Sequence, residues 1–318
     1  MERPILSARG AAGYLEALDN VLLLTHVRPD GDTIGSAAAL CRALQDCGQT
    51  AYLLPNPEIT ATYAPYAAPY WAPEGWQAEH IVSVDIADAS LLPENAQSYR
   101  DRIELAIDHH PSQTFFARNT CLEADSAACG EIVYEIIQHL TALTADIALP
   151  LYVAVSTDCG GFQYGNTTAR THRIAAALMD VVDVAAVNKT LFRTKSRVRL
   201  AMESRMVADM KLFDHQRVVV MEIPLSLRQE MQATDADIEE LSALPALVEG
   251  TDCGVTLREL RPGTVKVSVR TGPRVDACAL CRILGGGGHH AASGATVEGT
   301  LDEARMAVLA AYRKVIGA

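Results

Sequence analysis

The chain has 318 residues, enough for two domains that each bury a hydrophobic core. Hydrophobic residues make up 49% of it and charged residues 21%, which excludes an intrinsically disordered protein. No apolar run approaches the roughly 20 residues of a membrane-spanning helix and no signal peptide is apparent, so we expect a cytoplasmic protein without a membrane partner.

The net charge of −12 is unevenly distributed along the chain. Residues 1–190 contain 10 Lys and Arg against 23 Asp and Glu, whereas residues 191–318 contain 17 against 16. Proteins that follow long nucleic acids usually present a basic face, which the front half lacks. We therefore expect a small phosphorylated partner, bound cations or both, and no long nucleic acid.

The first half alternates short apolar strands with helices, the pattern of a parallel sheet flanked by helices. Residues 55–76 are rich in Pro, Tyr and Trp and are predicted to form a loop. The apolar segment 149–157 is too short for periodicity to distinguish a strand from a helix. The predicted strands are 21–26, 51–54, 80–85 and 104–108, and the predicted helices are 33–48, ending at Gly48, and 129–140.

The character of the chain changes after Leu178, where a helical pattern rich in basic residues begins. We place the linker within it, near 185–200, with domains at 1–190 and 191–318. The remainder alternates like half-buried strands (VVVMEI, CGVTLREL, TVKVSVR) and ends in a helical pattern, LDEARMAVLAAYRKVIG. The predicted fold is α/β: a parallel-sheet domain with helices on both faces, followed by a smaller α/β C-terminal domain.

Eight cysteines lie at irregular intervals, and of these Cys278 and Cys281 have CxxC spacing. There is no second such pair to complete a zinc site. We favour reduced cysteines packed in the core, with a metal or redox role for the pair as the alternative.

Aspartate and histidine residues follow four of the apolar segments. If these segments are strands of one parallel sheet, the polar residues meet at one rim, because ligands of open α/β sheets bind at the carboxyl ends of the strands. The residues are His26, Asp30 and Asp32 after the first segment, Asp85 after 80–84, Asp108, His109 and His110 at the end of 104–108, and Asp158 after 149–157.

Several carboxylates so close together could not all stay ionised without cations. Carboxylate and imidazole ligands without thiolate suit manganese, iron or a similar ion better than structural zinc. Two such ions and a bridging hydroxide promote in-line attack on phosphorus. Each fragment alone allows another interpretation: PDGD is a common turn in which Asp32 could cap the next helix, and Asp108-His109-His110 could be a solvated loop. Their coincidence favours two divalent metal ions.

A second candidate site is RILGGGGHHAASG (282–294). Consecutive glycines let backbone N–H groups approach an anion, so Gly286, Gly287, Gly288 and His289 are candidate substrate-binding residues, with a flexible linker as the alternative. Upstream, Ser268 and Arg270 lie two residues apart and so share one face of a strand. Arg270 is a candidate for a bidentate phosphate contact, and an ordinary surface arginine is the alternative.

Together these motifs resemble those of the DHH phosphoesterase family, over residues 21–294. Four ordered motifs match: His26 with Asp30 and Asp32, then Asp85, then Asp108-His109-His110, then Asp158. SVR followed by GGGGHHAASG resembles the glycine-rich motif of the family's associated C-terminal domain. Length and paired motifs look most like the nanoRNase/pAp phosphatase branch, which degrades very short oligoribonucleotides and removes a phosphate from 3′-phosphoadenosine 5′-phosphate (pAp).

The resemblance implies a role for each matched residue. His26 and Asp30 would hold one metal ion, Asp32, His109 and Asp158 the other, and Asp85 would bridge them. His110 would contact the scissile phosphate or aid the leaving oxygen, while Asp108 would orient a ligand histidine. Arg270, the glycines and His289 would bind the far end of a short oligonucleotide or nucleotide.

Two motifs depart from the family pattern. The fourth commonly reads TDTG followed by an aromatic and a basic residue, and here reads TDCGGFQY, with Cys159 and Gln163. The glycine motif ends in Ala-Ser-Gly instead of Ala-Ala-Gly. The alternatives are a phosphodiesterase for linear dinucleotides derived from cyclic ones and, in a different class, a catalytically silent nucleotide sensor. A pyrophosphatase and a single-strand exonuclease fit the C-terminal motif and the acidic chain less well, and a homodimer is left open.

Overall fold

The computed structural model describes residues 4–317, apart from the side chains of residues 239 and 240. Its internal contacts divide it into two compact units, with the boundary between Thr194 and Lys195. The sequence placed this boundary at residue 190. No helix in the described range is both long and apolar enough to span a bilayer.

The first unit contains a five-stranded sheet whose strands are all parallel, in the order β2-β1-β3-β4-β5. The four strands expected from the sequence are present. The fifth, which pairs with β4, was not predicted, because NTCL is short and half polar. The strands are β1 (Val21–Leu24), β2 (Ala51–Leu53), β3 (His80–Val84), β4 (Ile103–Asp108) and β5 (Asn119–Leu122).

Alternate side chains of this sheet enter two separate cores. Leu23, Val84 and Ile107 pack with the α-helices on one face, whereas Leu24 and Ala106 pack with the short 3-10 segments 89–91 and 94–102 on the other. The α-helices of this unit are α1 (Ala8–Glu16), α2 (Gly31–Asp46), α3 (Ala64–Ala67), α4 (Cys129–Leu140), α5 (Ala145–Asp158), α6 (Ala169–Met179) and α7 (Ala185–Asn188).

The segment 149–157 is the body of helix α5, so the assumption that Asp158 follows a strand was wrong. Most of α5 is buried, and a helix that is apolar on all sides shows no amphipathic period. Helix α2 lies directly against it. A Cβ at Gly35 would lie 2.7 Å from the backbone nitrogen of Ala154 and closer still to the carbonyl oxygen of Pro150. Glycine at position 35 therefore permits this close approach.

Helix α2 begins two residues earlier than predicted and is capped by Asp30, so the interpretation of Asp32 as the cap was wrong. The Asp30 carboxylate accepts hydrogen bonds from the backbone N–H groups of Asp32 (3.0 Å) and Thr33 (3.2 Å). Asp32 lies in the first turn of the helix, and its side chain is buried. Gly48, with φ of +87°, follows the helix end as expected.

The second unit contains a six-stranded sheet in the order β10-β11-β9-β8-β7-β6, in which only β7 and β8 are parallel. Its strands are β6 (Lys211–Phe213), β7 (Val218–Ile223), β8 (Cys253–Arg261), β9 (Thr264–Thr271), β10 (Gly287–Gly288) and β11 (Ala292–Glu298). Its helices are α8 (Arg197–Ala208), α9 (Leu225–Glu230), α10 (Asp235–Ile238), α11 (Ala277–Ile283) and α12 (Leu301–Ile316).

This sheet too is covered on both faces. Val267 and Val269 pack with residues of α11 and α12, whereas Met221 of β7 packs with Met202 and Met206 of α8. All eight cysteines are free thiols. Of the CxxC pair, which lies on helix α11 as predicted, Cys281 is buried in the core and Cys278 is half-buried. Burial raises the pKa of the Cys281 thiol to about 11.

Candidate metal centre

The first unit brings together all eight of its predicted site residues. They lie at the carboxyl ends of β1, β3 and β4, at the start of α2 and at the end of α5. Apart from Asp108, they supply ligand atoms to three overlapping groups of three residues, and within each group the atoms lie within 4.8 Å of one another. Two of these groups, His26 with Asp30 and Asp85 and Asp32 with His109 and Asp158, share no residue, and the third joins Asp85 and His109 to His110.

The first group consists of His26, Asp30 and Asp85. His26 Nε2 lies 3.6 Å from Asp30 Oδ1 and 3.9 Å from Asp85 Oδ2. The other ring nitrogen, Nδ1, lies 2.7 Å from the carbonyl oxygen of Val27, to which it can donate. That hydrogen bond favours the tautomer whose Nε2 lone pair is free to bind a cation.

The second group consists of Asp32, His109 and Asp158. His109 Nε2 lies 3.7 Å from an oxygen of each of the two carboxylates. It also lies 3.5 Å from Oδ1 of Asp85, whose other oxygen faces His26. Asp85 is therefore the carboxylate that reaches both groups.

Asp85 is held in an unusual environment. Its backbone φ is +61°, in the left-handed region, and its N–H donates to the Ile107 carbonyl at 2.8 Å. The residue is 3% exposed, and among the described residues its Oδ1 has no hydrogen-bond partner. Burial and the neighbouring carboxylates, Asp32 foremost, raise its pKa well above the ordinary value. A buried carboxylate oxygen without a donor fits a bound cation.

The Asp32 carboxylate is oriented by the start of helix α4. Its Oδ2 accepts from the backbone N–H of Cys129 at 2.6 Å, and its Oδ1 from that of Gly130 at 2.9 Å and from the Ser36 hydroxyl at 3.0 Å. Burial and the charge of Asp158 raise the pKa of Asp32 well above its usual range. Burial likewise raises the pKa of Asp158. These repulsions are the kind that divalent cations relieve.

The Asp108 carboxylate holds the ring of His110, whereas the resemblance implied that it orients a histidine that binds metal. Its Oδ1 accepts from His110 Nδ1 at 2.7 Å, and this hydrogen bond raises the pKa of His110. Its Oδ2 accepts from the Gln113 amide at 2.6 Å. His109 is oriented instead by the carbonyl oxygen of Ser126, 3.1 Å from its Nδ1. The reason is local: Asp108 folds back over the two residues that follow it and accepts from both of their backbone N–H groups.

The sequence missed the residues that support the ligands. Asn56 donates to the carbonyl oxygen of His26 at 2.8 Å, and Gln113 donates to Asp108. Neutral amides carry no signature of a metal site, and the orienting groups of Asp32 and His109 are backbone atoms. No pattern in the sequence could have identified them.

The predicted substrate residues lie in the second unit. Ser268 and Arg270 share the half-buried face of β9, opposite Val267 and Val269. Arg270 pairs across the sheet with Ala292 of β11, and its guanidinium donates to the Val269 carbonyl at 3.1 Å.

The glycine-rich segment is part of this sheet, so the flexible-linker interpretation was wrong. Gly287 and Gly288 form β10 and pair with β11, and the N–H of His289 donates to the Ala292 carbonyl at 2.9 Å. A Cβ at Gly288 would lie 2.7 Å from the Ser293 hydroxyl, and one at Gly286 would overlap the carbonyl oxygen of Gly294. Both glycines thus have a packing reason in addition to any role in binding.

Comparison with known proteins agrees with the family resemblance of the sequence motifs. Residues 20–155 match the family described as DHH family, N-terminal domain. The chain is 32% identical over 313 residues to the bifunctional oligoribonuclease and PAP phosphatase NrnA of Thermus thermophilus, covering 96% of this chain and 93% of that one. It is 24% identical over 288 residues to the protein of the same name from Bacillus subtilis, covering 88% and 90%.

The fold also resembles a solved structure. With an exopolyphosphatase-related protein from Bacteroides fragilis the TM-score is 0.87 at 21% identity, over 98% of this chain and 96% of the other. At this identity the likeness concerns the fold alone.

Proposed function

This chain belongs to the DHH family, and from that premise we propose that it is a phosphoesterase that hydrolyses very short oligonucleotides and pAp with two divalent cations, most favourably manganese. The observation that carries the proposal is Asp85, a buried carboxylate whose two oxygens face two different groups of ligands. The names of the relatives from Thermus thermophilus and Bacillus subtilis support the choice of substrates.

The donor set supports two ions of manganese type. His26 and Asp30 would hold one ion, Asp32, His109 and Asp158 the other, and Asp85 both. All of these donors are carboxylate oxygens or imidazole nitrogens. Such a donor set suits manganese better than structural zinc, which favours thiolates. When bound, such ions supply positive charge to the reacting phosphate and lower the pKa of an attacking water.

The pair of Asp108 and His110 supports a role next to the scissile phosphate. Because Nδ1 of His110 donates to a carboxylate, that nitrogen is not available to bind a cation. The ring is thereby fixed, and because this hydrogen bond raises the pKa of His110 it favours the protonated ring, whose Nε2 can donate to a phosphate oxygen or to the leaving oxygen. We therefore assign His110 to the substrate and Asp108 to holding its ring.

We assign recognition of the rest of the substrate to the second unit. Arg270 supplies a half-buried positive charge on β9, with Ser268 beside it and with Gly286, Gly287, Gly288 and His289 at the neighbouring hairpin. A guanidinium recognises a phosphate through two parallel hydrogen bonds, which suits a substrate that ends in a phosphate or carries one close by. The acidic first unit disfavours a long polyanion.

A substrate panel tests the proposal. Dinucleotides, pAp, a linear dinucleotide of cyclic origin and inorganic pyrophosphate would be incubated with the full chain and Mn²⁺, and the products separated by chromatography. We expect turnover of dinucleotides and pAp that chelation abolishes and that Asp85→Asn lacks. The exposed Asp101→Asn serves as the matched control and should retain activity. Absence of turnover with every substrate would favour the silent nucleotide sensor, and a rate confined to the linear dinucleotide of cyclic origin would favour the alternative phosphodiesterase.

A further inference from the structure

We propose that Asn166 and Arg170 are positioning residues that orient the ligands of the second ion through one stretch of backbone. This stretch, residues 123–131, is called here the orienting segment. The proposal rests on the two-ion site proposed above. It adds that the affinity for the second ion, but not for the first, depends on two residues that bind neither ion.

The orienting segment contacts two ligands of the second group directly. The carbonyl oxygen of Ser126 lies 3.1 Å from His109 Nδ1, which fixes the tautomer and leaves Nε2 facing the carboxylates. The N–H groups of Cys129 and Gly130 donate to the two oxygens of Asp32. Displacement of this segment would therefore misalign His109 and Asp32 together.

Asn166 joins the orienting segment to the third ligand. Its side-chain amide donates to the carbonyl oxygen of Ala127 at 2.9 Å and to that of Asp158 at 3.1 Å. Asn166 lies at the surface between helices α5 and α6. It thus couples the end of α5, which carries Asp158, to the residue that follows Ser126.

Arg170 holds the orienting segment at both ends. Its guanidinium donates to the carboxylate of Glu123 at 2.9 Å and to the hydroxyl of Ser126 at 3.2 Å, and its Nε lies 3.8 Å from the carboxylate of Glu131. Glu131 is 1% exposed and also accepts from the hydroxyl of Thr171 at 2.5 Å. One cation on helix α6 therefore balances a half-buried and a buried carboxylate of the same segment, and it also pairs with Glu135 of helix α4 at 2.7 Å.

The first group is oriented by different residues. His26 is fixed by the Val27 carbonyl and Asn56, and Asp30 by the backbone N–H groups at the start of α2. Because the two groups have separate supports, loss of Asn166 or Arg170 should weaken one ion selectively. Removing the partner that orients a metal ligand typically lowers metal affinity by about 10- to 100-fold.

The test is a titration of the chelator-stripped full chain with Mn²⁺, in which electron paramagnetic resonance measures the free ion. We expect two binding steps in the wild type. In Asn166→Ala and Arg170→Met, one step should weaken by about 10- to 100-fold and the other should not change. The weakened step should be the one that His109→Ala abolishes. Arg170→Lys keeps the charge but loses the planar guanidinium. Its Mn²⁺ affinity in this step should lie between those of the wild type and Arg170→Met.

Controls separate positioning from folding. Arg173→Met, an exposed arginine on the same helix, should leave both steps unchanged. Circular dichroism of the stripped proteins shows which variants fold. If Arg170→Met does not fold, the Mn²⁺ titration of the surface variant Asn166→Ala tests the proposal alone. Equal weakening of both steps, or of neither, overturns the proposal. A single step in the wild type contradicts the two-ion site instead, and positioning is then rejected if Asn166→Ala leaves that step unchanged.

Discussion

The side chain of Gln113 bridges the ends of two strands: its amide nitrogen donates to Asp108 Oδ2 at 2.6 Å and to the carbonyl oxygen of Ile86 at 2.8 Å. Ile86 follows Asp85, and Asp108 holds the ring of His110. One neutral amide therefore ties the loop that positions the shared carboxylate to the loop that positions the histidine assigned to the substrate. Neither end of this bridge is exposed to solvent.

Replacement of Gln113 by Met should damage stability and activity together. Asp108 Oδ2 would lose a charge-assisted hydrogen bond and stay buried, at a cost of about 1.5–3 kcal/mol in the free energy of unfolding. Since the Asp108 carboxylate that holds the His110 ring would be less firmly oriented, kcat should fall as well. Urea unfolding and steady-state kinetics measure the two effects. Gln77→Met, at an exposed site, is the control. An unchanged kcat in Gln113→Met would contradict a role of the His110 orientation in catalysis.

Asp85→Ala should be the most damaging single ligand change, because its two oxygens face both groups. Chelation should abolish activity in the wild type and Mn²⁺ should restore it. Saturating Mn²⁺ at about 100 times its dissociation constant should also stabilise the folded wild type by about 2.7 kcal/mol per ion. Thermal melts with and without Mn²⁺ test this, and substantial activity or an undiminished Mn²⁺ effect in Asp85→Ala would contradict the shared-ligand assignment.

Hydrolysis rates should fall as the oligonucleotide lengthens. The front half of the chain carries a net charge of −13, so each further phosphate adds repulsion that a short substrate avoids. Initial rates on oligomers of increasing length, from dinucleotides to strands of tens of nucleotides, give the dependence. Equal rates across the series would instead indicate a processive exonuclease.

Arg270→Ala should lower kcat/KM on a dinucleotide by about 10- to 150-fold, the equivalent of about 1.5–3 kcal/mol for a charge-assisted phosphate contact. A small artificial phosphodiester, which lacks the remote phosphate, should be hydrolysed at an unchanged rate, and Mn²⁺ binding should be retained. Lys266→Ala changes an exposed cation on the same face of β9 and is the matched control. Equal losses on both substrates would place Arg270 at the metal centre or in folding.

Gly35→Ala should destabilise the first unit. The added Cβ would meet backbone atoms of Pro150 and Ala154, which cannot turn aside as a side chain could, so α2 and α5 would have to separate. Overpacking of this kind costs about 1–3 kcal/mol. Gly13→Ala in α1, where nothing lies within 4 Å of the new Cβ, should instead stabilise by about 0.5–1 kcal/mol. Urea denaturation compares the two, and equal effects would refute the packing argument.

The positions of most metal-binding candidates were predictable because charged residues directly after apolar strands are conspicuous in a sequence. His26, Asp85 and His109 follow β1, β3 and β4 at short intervals. Asp158 was identified through its motif but assigned to the wrong element, since α5 is apolar on all sides and shows no period. Strand β5 escaped prediction because its four residues lack an apolar pattern.

The supporting residues were not predictable, for a different physical reason. Gln113, Asn166 and Arg170 act on groups distant in sequence or on backbone atoms, and their function depends on how loops meet in three dimensions. In the sequence alone, an amide or an arginine cannot be told from any other polar residue, because the groups that it contacts in the folded chain are not known. The glycine-rich hairpin was similarly ambiguous, because glycine suits flexible linkers and tight packing equally.

The left-handed backbone of Asp85 has a consequence for how such a protein changes under selection. Asparagine and glycine adopt a positive φ more readily than other residues, and neither would bury an unpaired carboxylate. A random library screened only for heat tolerance in the presence of chelator should therefore enrich Asn or Gly at position 85 and return robust, inactive chains. Aspartate at this position would then be kept by selection for activity, against the gain in stability that its loss should bring.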